Sequence, residues 1–176
     1  SIEVIQIIVI SSAIIIPIRY FLVQPFYVKG ASMEPNFYDR EYLITDELSF
    51  RFREPIRGEV LVFKYPRDPS QYFIKRLVGM PGETVEVSDG NIILYNDEHP
   101  NGFVLEEEYI SQDRTSGKER VTLGADEYYV LGDNRDASLD SRSFGALNDD
   151  NIIGRVWVRG LPLSRIGTFD IPEYNL

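Results

Sequence analysis

The chain has 176 residues, which suits one domain with a real hydrophobic core, and 43% of them are hydrophobic, which excludes a disordered chain. It contains no cysteine, so disulfides, zinc–thiolate sites and cysteine nucleophiles are excluded. The net charge is −10. Residues 1–30 contribute +1, since their charged residues are Glu3, Arg19 and Lys29, and residues 31–176 contribute −11. So acidic a body is a poor candidate for binding nucleic acid.

The first predicted element is a membrane anchor over residues 1–23. Residues 2–23 read IEVIQIIVISSAIIIPIRYFLV, close to the roughly 20 mostly apolar residues that a spanning helix needs. Arg19 lies near one end, where its stem reaches the interface. A cleaved signal peptide and a buried strand pair are the alternatives. No basic residue precedes the run, and it has no turn signal before Pro17, so both alternatives are disfavoured.

The remainder, residues 24–176, is predicted to be mainly β. Turn sequences such as MPGE, SDGN and GDNRD separate short apolar or alternating runs, which is typical of a sandwich or barrel. Two short helices are predicted, at 46–53 and 137–144. The predicted strands are residues 41–45, 58–65, 71–78, 83–88, 91–95, 127–132 and 152–160.

The stretch KGASMEP, residues 29–35, holds Ser32 in a bend directly after the anchor. The ordinary interpretation is a turn serine, and the alternative is a nucleophile held near a membrane. A Ser-His-Asp enzyme would have to use the one histidine, His99. That residue lies in the polar run YNDEHPNG, which is typical of a solvated loop, so a histidine base is disfavoured.

The run QYFIKRLVGMPG predicts a strand that places a lysine on an apolar face. Side chains alternate along a strand, so Lys75 projects beside Phe73 and Leu77 while Arg76 projects the other way. Lys75 is then either an edge-strand lysine that prevents aggregation, or a buried one. Burial lowers a lysine pKa from about 10.4 and yields a neutral amine that accepts a serine proton. A Ser-Lys dyad is the main nucleophile–base pair left open.

The densest polar cluster is GDNRDASLDSRSFG, residues 132–145. One interpretation is a surface loop with exposed ion pairs of little energetic value. Because apolar runs flank it on both sides, the other is a hydrogen-bonded scaffold for a site. In that case the loop places a hydroxyl beside Lys75 and carboxylates beside Arg76.

Taken together, these segments resemble a known family. ASMEP after an anchor, then FIKRLVGMPGE, then GDNRDASLDSR are similar to three successive sequence boxes of type I signal peptidases. QPFYV and IIGRVWVRGLPLSRIG fit that family as well. The similarity extends from about residue 15 to 167. The last box is highly specific, whereas the serine box alone is weak.

The resemblance implies a membrane-bound serine endopeptidase that removes N-terminal signal peptides from secreted precursors. Cleavage would follow small residues, typically in an Ala-X-Ala pattern. By motif, Ser32 corresponds to the nucleophile that forms an acyl-enzyme and Lys75 to the general base. Ser138 corresponds to the serine that hydrogen-bonds and orients the lysine.

The resemblance also implies structural supports and pocket walls. Asp133 would pair with Arg76, and Asp140 with Arg142. Gly30 would let the substrate backbone approach closely. Narrow apolar pockets reject large side chains by overpacking, which suits selection of alanine. The implied pocket walls are Phe26, Val28, Met33, Phe37, Leu43, Phe73 and Ile74.

Several positions depart from the common pattern of the family. Asn36 stands where threonine is usual, and Arg40-Glu41 replaces the usual Gly-Asp. Some members carry a serine at the position of Gly30, where its hydroxyl helps the oxyanion hole. The hole would here depend on the Ser32 backbone N–H and a second donor that the sequence does not identify.

The implied fold is the compact type I signal peptidase catalytic β-domain, with an N-terminal transmembrane helix and one or two short helices. Only 56 residues separate Lys75 from Gly132, which argues against a large inserted second domain. The family needs no metal and no organic cofactor. The implied partners are signal peptides and the lipid bilayer, with the secretion machinery as a further candidate. The implied location is a single-pass cell-membrane protein whose catalytic domain is extracytoplasmic.

Two other classes remain open at this point. One is another Ser-Lys peptidase, such as the self-cleaving repressors, which are soluble and linked to DNA; the predicted anchor and the acidic body disfavour it. The other is a non-catalytic, membrane-anchored β module that binds peptides. Such a module has no use for an inward-facing lysine. Cleavage of a precursor peptide bearing Ala-X-Ala would separate these classes.

Overall fold

The computed structural model describes residues 2–21, 23–112 and 114–175. The side chains of residues 19–21 are not described, so the interfacial position predicted for the Arg19 side chain lies outside the described residues.

The N-terminal segment forms helix α1, Ile2–Phe21, with Pro17 inside it. Its isoleucines project outward, and Ile2 and Ile7, for example, are exposed. The predicted helix is therefore confirmed. In the part of the chain that the structure describes, no helix is both long and apolar enough to cross a membrane.

The body is mainly β, as predicted. Its one short α-helix, α2 (Ser141–Phe144), is accompanied in the described ranges by single 3-10 turns at Ser49–Arg51, Arg135–Ala137, Asp149–Asn151 and Leu163–Arg165. The strands are β1 (Val23–Tyr27), β2 (Tyr42–Asp46), β3 (Val60–Tyr65), β4 (Asp68–Gly79), β5 (Thr84–Ser88), β6 (Asn91–Tyr95), β7 (Phe103–Val104), β8 (Glu119–Thr122), β9 (Glu127–Leu131), β10 (Leu147–Asn148), β11 (Ile152–Leu161) and β12 (Gly167–Thr168).

Two antiparallel sheets carry these strands. The larger has the order β1-β2-β11-β3-β4-β9-β10, with β12 paired to β11, and the smaller has the order β7-β6-β5-β8. Strand β4 pairs with β3 over most of its length and with β9 only from Arg76 onward: Lys75 pairs with Leu61 of β3, and Arg76 pairs with both Val60 of β3 and Leu131 of β9. The sheet thus brings the lysine strand next to the strand that leads into the polar segment 132–145.

All seven predicted strands form within a few residues of the expected bounds. Strand β8 was missed because its sequence, ERVT, is short and mostly polar. Strand β1 was missed because its residues continue the apolar run of the anchor. The helix predicted at 46–53 is reduced to the turn Ser49–Arg51, since the Asp46 carboxylate accepts the Ser49 N–H at 3.0 Å at the end of β2.

A buried apolar cluster supports the hairpin that contains Ser32. It joins β2 and β3 of the larger sheet to the residues that follow β1. The inner side of the bend therefore packs against buried side chains and is not in contact with solvent. Its members are Val28, Met33, Phe37, Leu43, Val60, Val62 and Val156.

Replacing Arg40 by glycine is expected to stabilise the protein. Arg40 has φ of 68°, a left-handed conformation that is unfavourable for a residue with a Cβ. Relief of this strain exceeds the added chain entropy of glycine, so the free energy of unfolding should rise by about 0.5–1 kcal/mol. Urea unfolding followed by the fluorescence of Trp157 measures the change.

The matched control is Lys118→Gly at another exposed position, where φ is not positive. There glycine only adds chain entropy to the unfolded state, and the free energy of unfolding should fall by about 0.5–1 kcal/mol. If Arg40→Gly destabilised the protein as Lys118→Gly does, the assignment of strain to Arg40 would be refuted.

Candidate active site

Ser32 lies in the loop of the β1–β2 hairpin. The loop is closed by two backbone hydrogen bonds, from Val28 N to Glu41 O and from Arg40 N to Val28 O, both 2.9 Å. At its start Gly30 has φ of 85°, and its N–H donates to the Asp39 carboxylate at 2.8 Å. A side chain at position 30 would meet no neighbour, but this φ favours glycine. The hairpin therefore presents Ser32 in a constrained bend.

Lys75 of β4 points at that bend. Its Nζ donates to Ser32 Oγ at 2.9 Å and to the Ile74 carbonyl at 2.8 Å, and lies 5.2 Å from the centroid of the Phe73 ring. The side chain is 4% exposed. The edge-strand interpretation of Lys75 is therefore wrong, because a lysine that prevents aggregation must be solvated.

Burial changes the ionisation of Lys75. Desolvation of the ammonium lowers the pKa to about 8, and the negative charges of Asp140 and Asp133 oppose that shift without cancelling it. A lysine with a pKa of about 8 is partly neutral near neutral pH. The amine is then able to take a proton from the hydroxyl that it contacts.

The polar segment 132–145 packs directly on the Ser32 bend. The backbone N–H of Asn134 donates to Ser32 O at 3.0 Å, and its side-chain Nδ2 donates to Ala31 O at 3.1 Å. The Asp133 N–H donates to the sulfur of Met33 at 3.4 Å. The three sequence boxes therefore meet at one point, although Arg76 of β4 and Asp133 of the polar segment, for example, are 57 positions apart.

Gly132 is required at this contact. A Cβ on residue 132 would lie 2.5 Å from Ser32 O and would also overlap the side chain of Ser138. The Ser138 Oγ is buried and has no hydrogen-bond partner among the described residues. The hydrogen bond expected between Ser138 and Lys75 is not formed in this structure, and the orienting role of Ser138 stays a prediction.

Two ion pairs surround the dyad where the sequence placed them. Arg76 donates to Asp133 through Nε at 2.8 Å and Nη2 at 2.6 Å, and its Nη1 donates to Gly58 O at 2.8 Å. Arg142 donates to Asp140 through Nε at 2.9 Å and Nη2 at 2.8 Å. Both carboxylates are fully buried, so each depends on its bidentate partner for compensation of its charge.

The sequence interpretation missed the segment between β7 and β8. The buried Arg135 donates to Glu107 through Nη1 at 2.7 Å and Nη2 at 2.5 Å, and through Nε to Gly132 O at 2.9 Å. The ring of Tyr109 covers the Arg76 guanidinium at 4.2 Å. The run of three glutamates at 106–108 reads as solvated charge, so only the tertiary structure reveals this contact.

Two of the positions that depart from the pattern of the resembled family, Asn36 and Glu41, have structural roles of their own. The Asn36 side chain donates to Asp133 Oδ2 and to Tyr109 O, both at 2.8 Å. The buried carboxylate of Glu41 accepts from Arg159 Nε at 2.9 Å and from Arg165 Nη1 at 2.6 Å. Asn36 thus links the polar segment to the Ser32 hairpin.

A cleft of about 400 Å³ opens in front of Ser32 and Lys75. Most of its surface is apolar, and it includes six of the positions expected to contact substrate: Phe26, Val28, Gly30, Leu43, Phe73 and Ile74. Ala31, expected beside Gly30 to let the substrate backbone approach, lines it as well. Residues that the sequence did not indicate complete it, namely Tyr27, Lys29, Val62, Gln71, Tyr72, Ala137 and Leu139.

Met33 and Phe37 were expected as pocket walls, but they are not among the residues that line this cleft. Each is 1% exposed and lies in the core beneath the hairpin. The Met33 sulfur accepts the Asp133 N–H, which turns the side chain away from the cleft. The Phe37 ring packs 4.5 Å from the ring of Phe169. Both residues therefore support the bend from below.

The remaining candidate base lies elsewhere. His99 follows β6, packs on the Phe103 ring at 4.9 Å and is not among the residues that line the cleft. Within the described ranges, no three His, Asp or Glu side chains are grouped to hold a metal ion. The cleft thus combines a hydroxyl, a buried amine and an apolar groove, a set that suits acyl transfer.

Comparison with known proteins finds several signal peptidases. The family described as signal peptidase, peptidase S26, matches residues 1–160. A signal peptidase I of Leptolyngbya laminosa is 38% identical over 97% of this chain and 84% of its own length. Signal peptidase I T of Bacillus subtilis is 33% identical over 84% and 78%. A crystal structure of a signal peptidase I from Enterococcus faecalis is similar at a TM-score of 0.50 and 30% identity, over 59% of this chain and 97% of that one.

Proposed function

We propose, from the premise that this chain belongs to the peptidase S26 family of signal peptidases and is therefore a peptidase, that it removes signal peptides from secreted precursors by a Ser-Lys mechanism. Ser32 is the nucleophile and Lys75 the general base. Cleavage follows a small residue in an Ala-X-Ala pattern. Neither a metal nor an organic cofactor takes part.

One observation supports the mechanism most strongly. Lys75 Nζ lies 2.9 Å from Ser32 Oγ in a site where burial lowers the lysine pKa to about 8. An amine at this distance is within proton-transfer reach of the hydroxyl, and its pKa is close to the operating pH of a general base. A structural lysine gains nothing from such desolvation.

The substrate binds as an extended strand along β4. Up to Lys75, the described pairings of β4 involve only β3 on one side, and Phe73 and Ile74 line the cleft on the other. A peptide strand added there would satisfy backbone groups of β4, a common mode of peptide recognition. The narrow apolar walls then favour alanine over larger side chains.

The reaction proceeds in two acyl-transfer steps. Neutral Lys75 accepts the Ser32 hydroxyl proton while Oγ attacks the scissile carbonyl carbon. The lysine ammonium returns this proton to the leaving amine, the peptide C–N bond breaks, and an acyl-enzyme ester remains. Lys75 next accepts a proton from water, whose oxygen attacks the ester carbonyl carbon. The ester C–O bond then breaks, and the lysine ammonium returns the proton to Ser32 Oγ.

The protein acts at a membrane. The family is membrane-associated, and helix α1 exposes isoleucine side chains along its length. We propose that residues 1–23 anchor the protein to the membrane and that residues 24–176 form a compact catalytic domain on the extracytoplasmic side. Secretory precursors, the bilayer and the secretion machinery are its partners.

The proposed function is tested by a cleavage assay. The purified chain in detergent is incubated with a precursor peptide bearing Ala-X-Ala, and mass spectrometry of the fragments identifies the cut. Wild type should cut after the second alanine, Ser32→Ala should not cut, and a peptide with Phe at that position should resist. Binding of the peptide by wild type without any cut would instead indicate a non-catalytic binding module.

Activity is expected to rise with pH through about 8. The lysine pKa in the folded protein is lowered to about 8, so below that pH the ammonium predominates and has no site for the serine proton. The acid limb of kcat/KM should therefore lose about tenfold per pH unit below about 7. A profile that is flat from pH 8 down to pH 5 would exclude Lys75 as the base.

A further inference from the structure

We propose that Asn134 is a positioning residue for the oxyanion hole, and that Gln112 in turn fixes the orientation of Asn134. The inference rests on the proposed function, since it concerns the Ser32 N–H as a donor to the developing oxyanion. It starts from the contact between the Asn134 side chain and the Ala31 carbonyl, in which Nδ2 donates at 3.1 Å.

The Ala31 carbonyl and the Ser32 N–H belong to one peptide unit. A trans peptide is planar, so its N–H points opposite to its C=O. By holding the Ala31 carbonyl on its own side of the bend, Asn134 directs the Ser32 N–H to the other side. Both Ala31 and Ser32 line the cleft, and the Ser32 N–H makes none of the hydrogen bonds within the described residues. It is therefore available to an incoming ligand.

A second contact reinforces this orientation. The Asn134 backbone N–H donates to Ser32 O at 3.0 Å, so one residue holds two consecutive carbonyls of the nucleophile bend. The Ala31 carbonyl also accepts the Glu34 N–H at 3.2 Å, within the turn itself. The Asn134 side chain thus supplements a local turn contact, and its removal should tilt the peptide without unfolding the loop.

The direction of the Asn134 amide is determined by Gln112. The backbone N–H of Arg135 can only donate, and it donates to Gln112 Oε1 at 3.3 Å. Gln112 must then present Nε2 to Asn134 Oδ1, at 3.2 Å. Asn134 is left with Nδ2 facing Ala31 O, which can only accept. Both ends of this chain of amides are backbone groups of fixed polarity, so a flip of either amide would break hydrogen bonds.

This arrangement explains how an oxyanion donor is oriented in a site where residue 30 is glycine and has no side-chain hydroxyl. Gly30 has no hydroxyl to offer as an oxyanion donor, so stabilisation depends more heavily on the Ser32 N–H. Donors act in catalysis when they are preorganised toward the position of the oxyanion. The Gln112–Asn134 pair supplies this preorganisation from a loop of the smaller sheet and from the polar segment.

The test compares Asn134→Ala and Gln112→Met with wild type, using the intact chain. The readouts are kcat and KM for the precursor peptide and the affinity for a peptide aldehyde ending in Ala-X-Ala. Ser32 Oγ adds to the aldehyde carbon while Lys75 accepts the hydroxyl proton, and the former carbonyl oxygen becomes the oxyanion that faces the Ser32 N–H. Asn91→Ala is the matched control, because its amide also contacts a backbone carbonyl, Asp89 O at 3.4 Å, but at an exposed turn.

Asn134→Ala should lower kcat by about 10- to 100-fold, with KM within about twofold of wild type. This loss of kcat is smaller than, or similar to, the loss caused by removing a whole oxyanion donor. Affinity for the aldehyde should fall by a similar factor. Gln112→Met should lose several-fold in both, and Asn91→Ala should lose nothing. The pH midpoint near 8 should stay unchanged in all variants, because the Lys75 contact is intact.

Unchanged kcat in both variants would overturn the role of Asn134. So would a loss confined to KM, or a shifted pH midpoint with unchanged aldehyde affinity, since these indicate general damage to the site. If Asn134→Ala does not fold, as judged by its thermal unfolding, Gln112→Met carries the test alone. A wild-type protein that neither cuts the peptide nor binds the aldehyde would refute the proposed function itself, and this inference with it.

Discussion

Replacement of Lys75 by methionine is expected to abolish precursor cleavage and to stabilise the protein at the same time. Methionine keeps an unbranched apolar chain in a site that is 4% exposed, but it removes the amine that contacts Ser32. Loss of a general base lowers kcat/KM by about 10²- to 10⁴-fold. The measurement is the rate of cleavage of an Ala-X-Ala precursor at pH 8.

The stability effect follows from the lowered pKa. An unfolded lysine has a pKa near 10.5, whereas burial lowers that of Lys75 to about 8. Below pH 8 the folded protein contains the desolvated Lys75 ammonium. Relative to an apolar side chain, this charge lowers the free energy of unfolding by up to about 3 kcal/mol. The penalty decreases as pH rises from about 8 to 10.5. At pH 7, Lys75→Met should therefore raise the free energy of unfolding by about 1–3 kcal/mol.

The opposite signs make the result specific. A residue that merely holds the structure together would lose activity and stability together when replaced. Lys118→Ala, at an exposed loop position just before β8, is the control and should change neither quantity appreciably. Retention of wild-type cleavage by Lys75→Met would refute the dyad, and a loss of stability of 2 kcal/mol or more, on the order of a large-to-small core substitution, would indicate a structural role.

Asp133→Ala is expected to destabilise the protein by about 3–5 kcal/mol. The carboxylate is fully buried and makes a bidentate contact with Arg76, whose side chain is 6% exposed. Without Asp133, the guanidinium keeps its desolvation cost and loses its partner, and the Asn36 amide loses an acceptor. Urea unfolding at pH 7 measures the loss.

The matched control for Asp133→Ala is Arg120→Ala. Arg120 pairs with Glu86 at 3.2 Å, but its side chain is 58% exposed, so water compensates both charges after the change. Such exposed pairs contribute about 0–1 kcal/mol. A cost for Asp133→Ala as small as that of Arg120→Ala would show that the Arg76 site is open to water. Replacing both residues of the buried pair, as Arg76→Met with Asp133→Leu, should recover part of the loss.

The strands were predictable because their signals are local. Alternation in ETVEVS and NIILY, with a glycine turn between them, indicates a hairpin without further information, and β5 and β6 form there. Strands β7, β10 and β12 have two residues each and carry no periodicity to detect. Their existence depends on neighbouring strands that bring backbone groups within reach.

The burial of Lys75 was not predictable from its strand alone. Alternation indicates which side chains share a face, but it does not indicate which face is covered. The cover comes from the hairpin at Ser32 and from the polar segment 132–145, both distant in sequence. For the same reason the sequence did not show that Met33 and Phe37 lie in the core beneath the hairpin, because adjacency to Ser32 does not reveal the direction of a side chain.

The sequence by itself determined the mainly β class, the order of the strands along the chain and the N-terminal helix. It also determined the family, through three motifs whose residue types are required by their chemistry. Only the tertiary structure decided which groups meet: the contact of Lys75 with Ser32, the bidentate pairs, the burial of Arg135 against Glu107, and the hold of Asn134 on the nucleophile bend. The physical reason is that patterns and turns are local properties, whereas desolvation and hydrogen-bond partners depend on groups brought together by folding.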